Sequence, residues 1–87
     1  MATGMTRVTS EDVSGIRFEG HPAEVDFTTF AGRSVATLPP RAIPEMILRD
    51  IEKAIYDKGY RHGVKAVTVE VISVQKRTRL RARITYA

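Results

Sequence analysis

Residues 66–86 read AVTVEVISVQKRTRLRARITY, and this stretch decides the fold of the chain. In its first run the apolar face carries Val67, Val69 and Val71. In its second run the apolar face carries Leu80, Ala82, Ile84 and Tyr86. Alternation of apolar and polar residues with period two is typical of strands that bury one face. The two runs therefore predict an antiparallel β-hairpin.

Parity fixes the register of this hairpin. Opposed residues of an antiparallel pair share one face of the sheet, so the odd-numbered valines must oppose the even-numbered set. This requires a loop of even length near Gln75 and Lys76. The predicted pairs are Val71 with Leu80, Val69 with Ala82, Val67 with Ile84, Glu70 with Arg81 and Thr68 with Arg83. The loop contains no Gly, Asn or Asp, which leaves its turn type open.

An amphipathic helix precedes the hairpin. Its apolar residues recur at helical spacing and are Ile47, Leu48, Ile51, Ala54 and Ile55. Proline is tolerated in the first turn of a helix, so we expect the helix to begin between Pro40 and Pro44. Gly59 is a suitable left-handed terminator.

Three short strands are expected before the helix. The first runs from Gly15, where Ile16 and Phe18 alternate with polar residues, the second covers Glu24 to Phe30, and the third covers Arg33 to Leu38. The predicted fold class is therefore α+β, a single small domain with an antiparallel sheet of four or five strands and one helix in the order βββαββ. We expect residues 1–14 to form a flexible arm and residues 15–87 to form the domain.

Length and composition limit the possible classes of protein. The chain has 87 residues, 43% of them hydrophobic and 28% charged, which suits one modest core. Its longest uncharged apolar run is three residues, against about 20 for a transmembrane helix. Absence of cysteine excludes a disulfide scaffold and thiol catalysis, and it fits a reducing compartment. We expect a cytoplasmic protein with no membrane partner.

Catalytic motifs are absent from the sequence. His21 and His62 have no carboxylate at a spacing that would orient them, and no metal-binding or phosphate-loop motif occurs. Glu24 and Asp26 share one strand face, an arrangement more typical of a solvated surface than of a catalytic pair. We therefore predict a protein that is not an enzyme, with no cofactor, no metal and no small-molecule substrate.

The strongest functional signal is the basic charge of the hairpin. Residues 58–87 contain eight basic side chains and one acidic side chain, whereas residues 1–40 contain three basic and five acidic ones. Alternate residues of a strand share one face, so four arginines form a ladder with roughly 6.6 to 6.8 Å between neighbours. The predicted binding residues are Lys76, Arg77, Arg79, Arg81 and Arg83, with Arg61 and Lys65 extending the patch. Arginine binds phosphate bidentately, which favours nucleic acid as the partner.

Other interpretations of the same residues remain open. The arginines could be a solvated or internally paired face, or they could bind an acidic protein surface as an inhibitor or immunity protein does. In a self-assembling adaptor they would meet the acidic half of a neighbouring copy. The residues predicted for that homo-oligomer contact are Glu19, Glu24, Asp26, Ile72 and Val74.

Overall fold

Five β-strands and one α-helix make up the computed structural model, which describes residues 6–87. The elements are β1 (Arg7–Asp12), β2 (Glu24–Phe30), β3 (Arg33–Ser34), α1 (Glu45–Gly59), β4 (Val64–Val74) and β5 (Arg77–Tyr86). The strands form one sheet in the order β1-β2-β5-β4, with β3 paired to β2. Every pair is antiparallel except β1 with β2. The predicted α+β class with one helix is confirmed.

The register of the β4–β5 hairpin follows the predicted parity. Val71 pairs with Leu80, Val69 with Ala82, Val67 with Ile84, Glu70 with Arg81 and Thr68 with Arg83. The connecting turn holds two residues, Gln75 at φ 52° and Lys76 at φ 66°. Positive φ at both central residues defines a type I′ turn, whose twist suits a two-residue hairpin. This turn usually contains Asn and Gly, so its geometry could not be predicted from Gln and Lys.

The hydrophobic core lies between α1 and one face of the sheet. The helix contributes Ile51 and Ile55, both at 0% exposure. From the sheet the core receives Val25, Phe27, Val64, Val69, Leu80, Ala82 and Ile84. Because alternate strand residues point to opposite faces, these side chains leave the other face of the sheet to polar residues.

The helix also covers part of one sheet edge. A side-chain oxygen of Glu52 accepts a hydrogen bond from the backbone N–H of Val69 at 2.9 Å, and β4 is an outer strand of the sheet. Helix α1 begins at Glu45, one residue beyond the interval predicted for its start, and Gly59 has a right-handed conformation at φ −92°. A short 3-10 turn, Tyr60–His62, follows, and Gly63 at φ 88° provides the left-handed residue. The terminator predicted at Gly59 therefore lies at Gly63.

The N-terminal part of the fold differs from the prediction. Arg7–Asp12 form β1, parallel to β2, where a flexible arm was expected. Residues 1–5 of that arm lie outside the described residues. Ile16 and Phe18 are buried but belong to the crossover between β1 and β2, so the strand predicted from Gly15 does not form. Two parallel neighbouring strands need such a crossover connection. Here the crossover also adds the side chains of Ile16 and Phe18 to the hydrophobic core.

A short segment after β2 forms hydrogen bonds with both β2 and β5. The strand predicted over Arg33 to Leu38 is only two residues long, Arg33–Ser34. Beyond it, the backbone N–H of Thr78 donates to the carbonyl of Ala36 at 3.1 Å, and the Thr78 hydroxyl donates to the Leu38 carbonyl.

None of the helices in residues 6–87 combines the length and the apolar character needed to span a bilayer.

The turn conformation makes a testable prediction. Gln75→Asn should stabilise the fold by about 0.5–1 kcal/mol, because Asn tolerates the left-handed region better than Gln. Gln75→Val should destabilise it, because a β-branched residue is poorly suited to positive φ. Urea unfolding measures both changes, and equal stability of the two variants would contradict the type I′ assignment.

A second prediction concerns Gly59. A Cβ atom there would lie 2.4 Å from Val64 Cγ2 and 2.8 Å from Phe18 Cε1. Alanine normally improves a helix by up to about 1 kcal/mol over glycine, but overpacking a core costs about 1–3 kcal/mol. Gly59→Ala should therefore lower the free energy of unfolding, whereas Lys58→Ala on the exposed neighbour should change it little. A more stable Gly59→Ala variant would show that the helix does not approach the sheet so closely.

Candidate functional site

The sheet face opposite α1 carries most of the charge that the sequence singled out. We call it the charged face. The register places on it Arg7, Thr9 and Glu11 from β1, Glu24, Asp26 and Thr28 from β2, Arg77, Arg79, Arg81 and Arg83 from β5, and Thr68, Glu70, Ile72 and Val74 from β4. Basic and acidic residues alternate across the strands, because β2 lies between β1 and β5.

Asp26 and Arg81 form the central ion pair of this face. Arg81 Nε and Nη2 donate to the two carboxylate oxygens of Asp26 at 2.7 and 2.9 Å. The Asp26 side chain is 3% exposed and that of Arg81 is 15% exposed. The hydrogen bond from Arg81 lowers the pKa of Asp26 below its ordinary value, and the same bond raises the pKa of Arg81. This bidentate geometry keeps both groups charged and fixes the Arg81 side chain over β2.

Glu24 is the second buried carboxylate, and two arginines hold it. Its side chain is 1% exposed and accepts from Arg7 Nε at 2.7 Å and from Arg83 Nη1 at 3.0 Å. Arg83 also donates to Glu70 Oε2 at 2.8 Å, and its pKa is raised by that hydrogen bond. Glu70 therefore binds Arg83, its diagonal neighbour on β5, rather than the directly opposed Arg81. Arg81 binds Asp26 instead. The network links three strands, β1, β2 and β5, and ends on β4.

The acidic residues predicted to contact a neighbouring copy lie in two different environments. Glu24 and Asp26 are covered by arginines of their own chain, so the predicted contact loses its two central carboxylates. Glu19 is exposed in the crossover. Ile72 and Val74 are half-buried on the charged face, beside Arg79 and Arg77.

The basic residues at the end of the hairpin differ from Arg81 and Arg83. Arg79 Nη1 lies 4.0 Å from Asp26 Oδ2, an oxygen that already accepts from Arg81. Arg77 and Lys76 are exposed, and within residues 6–87 neither makes an ion pair with a carboxylate. We call Lys76, Arg77 and Arg79 the hairpin tip. The ladder is thus divided into two parts. Arg81 and Arg83 are hydrogen-bonded to carboxylates of the same chain, whereas Arg77 and Arg79 make no such hydrogen bond within residues 6–87.

A polar groove adjoins the hairpin tip on the charged face. It has a volume of about 280 Å³, and its lining includes Thr9, Asp26, Thr28 and Arg79. The hydroxyl groups of the threonines can donate to an anion, and the guanidinium of Arg79 supplies charge. The groove runs from Arg79 of the tip to Thr9 of β1, with the Asp26 carboxylate in its lining.

Arg61 and Lys65 lie at the other end of the hairpin. Both are exposed, and Lys65 occupies an irregularity in the β4–β5 pairing between Val64 and Ala66. Strands rise about 3.3 Å per residue, so roughly 30 Å separates Lys65 from the tip. The structure does not bring these two residues together with Lys76, Arg77 and Arg79.

Both histidines contact aromatic rings. His62 stacks on Phe18 with 5.3 Å between ring centroids, and His21 meets the edge of Tyr86 at 4.8 Å. Among residues 6–87 no group of three or more His, Cys, Asp or Glu side chains is placed to hold a metal ion.

A scan of family models, a search of curated proteins and a search of solved structures each found no match to this chain.

Sequence reasoning missed one member of the charged face. Arg7 was assigned to the flexible arm, and only the parallel pairing of β1 brings it to Glu24. No periodic pattern indicated β1, because Val8 is the one apolar residue between Arg7 and Asp12.

The buried ion pair makes a prediction about acid stability. Asp26 has a lowered pKa, so its ionised form stabilises the fold above the unfolded-state pKa of about 3.9, and this contribution is lost as pH falls through the lower folded-state pKa. Asp26→Asn should lower the free energy of unfolding at pH 7 by about 2–4 kcal/mol, because Arg81 loses its buried partner. Unfolding measured from pH 2 to pH 7 should also show a shallower pH dependence for Asp26→Asn. The control Glu19→Gln, at an exposed acid, should leave both quantities nearly unchanged.

Proposed function

We propose that this chain is a small non-catalytic binding protein that docks the tip of its β4–β5 hairpin on a polyanionic partner, with nucleic acid as the favoured class. The observation that carries the proposal is the division of the arginine ladder. Arg81 and Arg83 are held by carboxylates at hydrogen-bonding distance, whereas Arg77 and Lys76 have no such partner in residues 6–87.

The geometry of the tip supports a phosphate-rich partner. Arg77 and Arg79 are alternate residues of β5 on one face, with about 6.8 Å between them. Successive phosphates of a nucleic-acid strand have a comparable spacing, and guanidinium groups bind each phosphate through a planar pair of N–H donors. A two-stranded ribbon is also narrow enough to enter a major groove.

The paired arginines have a supporting role in this proposal. The Asp26 carboxylate holds the Arg81 side chain over β2, so the base of the hairpin is a fixed support from which the tip projects. Arg7 and Arg83 retain about half of their side-chain exposure, 49% each, but share Glu24. We therefore assign the main anion contacts to the tip. The rest of the charged face contributes a weaker, longer-range electrostatic attraction.

An acidic protein surface is the second class of partner that the same charges suit. The half-buried Ile72 and Val74 lie beside the tip arginines, and an apolar border around basic side chains is common in protein interfaces. Nucleic acid remains favoured because the basic residues outnumber the apolar ones and the aromatic anchors of protein interfaces are absent from the tip. An inhibitor or immunity function would require this second class of partner.

The salt dependence of duplex binding tests the proposal. Three phosphate contacts predict a slope near −2.7 for log K against log salt concentration, from about −0.9 per contact. The variant Arg77→Ala plus Arg79→Ala should reduce the slope by about 1.8, and fluorescence anisotropy with a short labelled duplex measures both. The matched control Arg61→Ala plus Lys65→Ala removes the same charge from the other end of the hairpin and should keep the wild-type slope.

Three outcomes would count against this assignment. Duplex binding without salt dependence would remove the phosphate contacts. Equal loss of slope in the tip variant and its control would mean that net charge, rather than the tip, attracts the duplex. Absence of duplex binding, together with a stable complex with one acidic protein, would favour the second class of partner.

A further inference from the structure

The outer edge of β1 is an unpaired strand edge within residues 6–87. Strand β1 pairs with β2 on one side only, and it ends the sheet. The Thr6 carbonyl accepts from the backbone N–H groups of Ala23 and Glu24, so the even-numbered residues of β1 direct their backbone groups toward β2. By alternation, the backbone N–H and C=O groups of Arg7, Thr9 and Glu11 point outward.

The two outer strands of the sheet are treated differently. On β4, the carboxylate of Glu52 binds the outward N–H of Val69, and the helix covers that stretch. On β1, no backbone hydrogen bond from residues 6–87 reaches the outward groups of Arg7, Thr9 or Glu11. Natural proteins usually cover or interrupt such an edge, because it can template pairing with another strand.

The side chains of β1 are self-complementary. In an antiparallel pair of two copies related by a two-fold axis perpendicular to the sheet, opposed residues share a face and therefore have the same parity. A register centred on Thr9 places Arg7 opposite Glu11 of the second copy, and Glu11 opposite Arg7. Every outward N–H and C=O group of Arg7, Thr9 and Glu11 then has a partner on the second copy.

The state of these side chains in the single chain fits this pairing. Glu11 is exposed and makes no ion pair with a basic residue in residues 6–87, while Arg7 is 49% exposed and already binds Glu24. A second carboxylate could therefore bind the free part of the Arg7 guanidinium. On the other face, Val8 is 36% exposed and would lie diagonal to its own copy, within reach of apolar contact.

We propose that β1 is a homodimer interface, in which two copies pair antiparallel through their β1 edges in a register centred on Thr9. The product is one continuous sheet with the charged faces of both copies on the same side. The two β5 strands would lie about 24 Å apart, from five strand spacings of about 4.8 Å. This interface is separate from the hairpin tip, so the proposal does not depend on polyanion binding.

A cysteine cross-link tests the register directly, because the chain has no cysteine of its own. In the proposed dimer, Thr9 faces Thr9 as a hydrogen-bonded pair with about 5.5 Å between Cα atoms, which suits a disulfide. Thr9→Cys should therefore form a covalent dimer rapidly under mild oxidation. The control Glu11→Cys places its two thiols about four residues apart along the strands, roughly 13 Å, and should cross-link much more slowly.

Light scattering of the full chain tests the interface without a cross-link. We expect a concentration-dependent dimer, and Thr9→Pro should raise its dissociation constant at least about tenfold because it removes an outward N–H. Ser73→Pro is the matched control on the other outer strand. By alternation from Val69, its N–H also points outward and is unpaired with β5. Circular dichroism verifies that both variants are folded.

Several results would overturn the proposal. A wild-type chain that stays monomeric at millimolar concentration would remove the dimer, and would leave the β1 edge to a strand from another protein. Equal cross-linking of Thr9→Cys and Glu11→Cys would remove the register. Dissociation by Ser73→Pro but not by Thr9→Pro would move the interface to β4. If Thr9→Pro does not fold, the pair of cysteine variants still decides the outcome.

Discussion

The bidentate ion pair between Asp26 and Arg81 is the interaction on which the rest of the charged face depends. It joins β2 to β5 on the side that α1 does not cover, at hydrogen-bonding distances of 2.7 and 2.9 Å. Two carboxylates could not be buried at 3% and 1% exposure on this face without the arginines that lie over them. The arginines therefore cover the second face of the sheet, as the helix covers the first, and the small chain needs no second layer of secondary structure.

This arrangement explains why four arginines at regular spacing do not form a uniform binding surface. The carboxylates of β2 lie opposite only Arg83 and Arg81 of β5, because the β2–β5 pairing ends at Phe27 and Leu80. After Asp26, β2 carries no further acidic residue, so Arg77 and Lys76 at the tip have no carboxylate partner on β2. The length of the β2–β5 pairing thus sets the boundary between the structural arginines and the tip. On β1, at one edge of the sheet, no backbone hydrogen bond from residues 6–87 reaches the outward N–H and C=O groups of Arg7 and Glu11.

The hairpin, its register and the helix could be predicted because each depends on a local periodicity that the residues display clearly. The parity of Val67, Val69 and Val71, together with a turn at Gln75 and Lys76, decides the register. The strand β1 could not be predicted in this way, because its polar residues do not alternate with apolar ones and its pairing is parallel and long-range. Ile16 and Phe18 indicated a strand that does not form, since two apolar residues in alternation also occur in a crossover loop. At the site, the arginine ladder was visible in the sequence, whereas its partners on β2 required the sheet order β1-β2-β5-β4.

We propose that the ladder is divided, with Arg81 and Arg83 stabilising the fold and Arg77 and Arg79 binding the partner. Nuclear magnetic resonance of the arginine Nε–Hε groups, recorded while a short DNA duplex is added, tests it most directly. We expect the signals of Arg81 and Arg83 to be protected from solvent exchange before addition and to stay in place, while those of Arg77 and Arg79 shift. Shifts concentrated on Arg81 and Arg83, or release of their protection by the duplex, would contradict it.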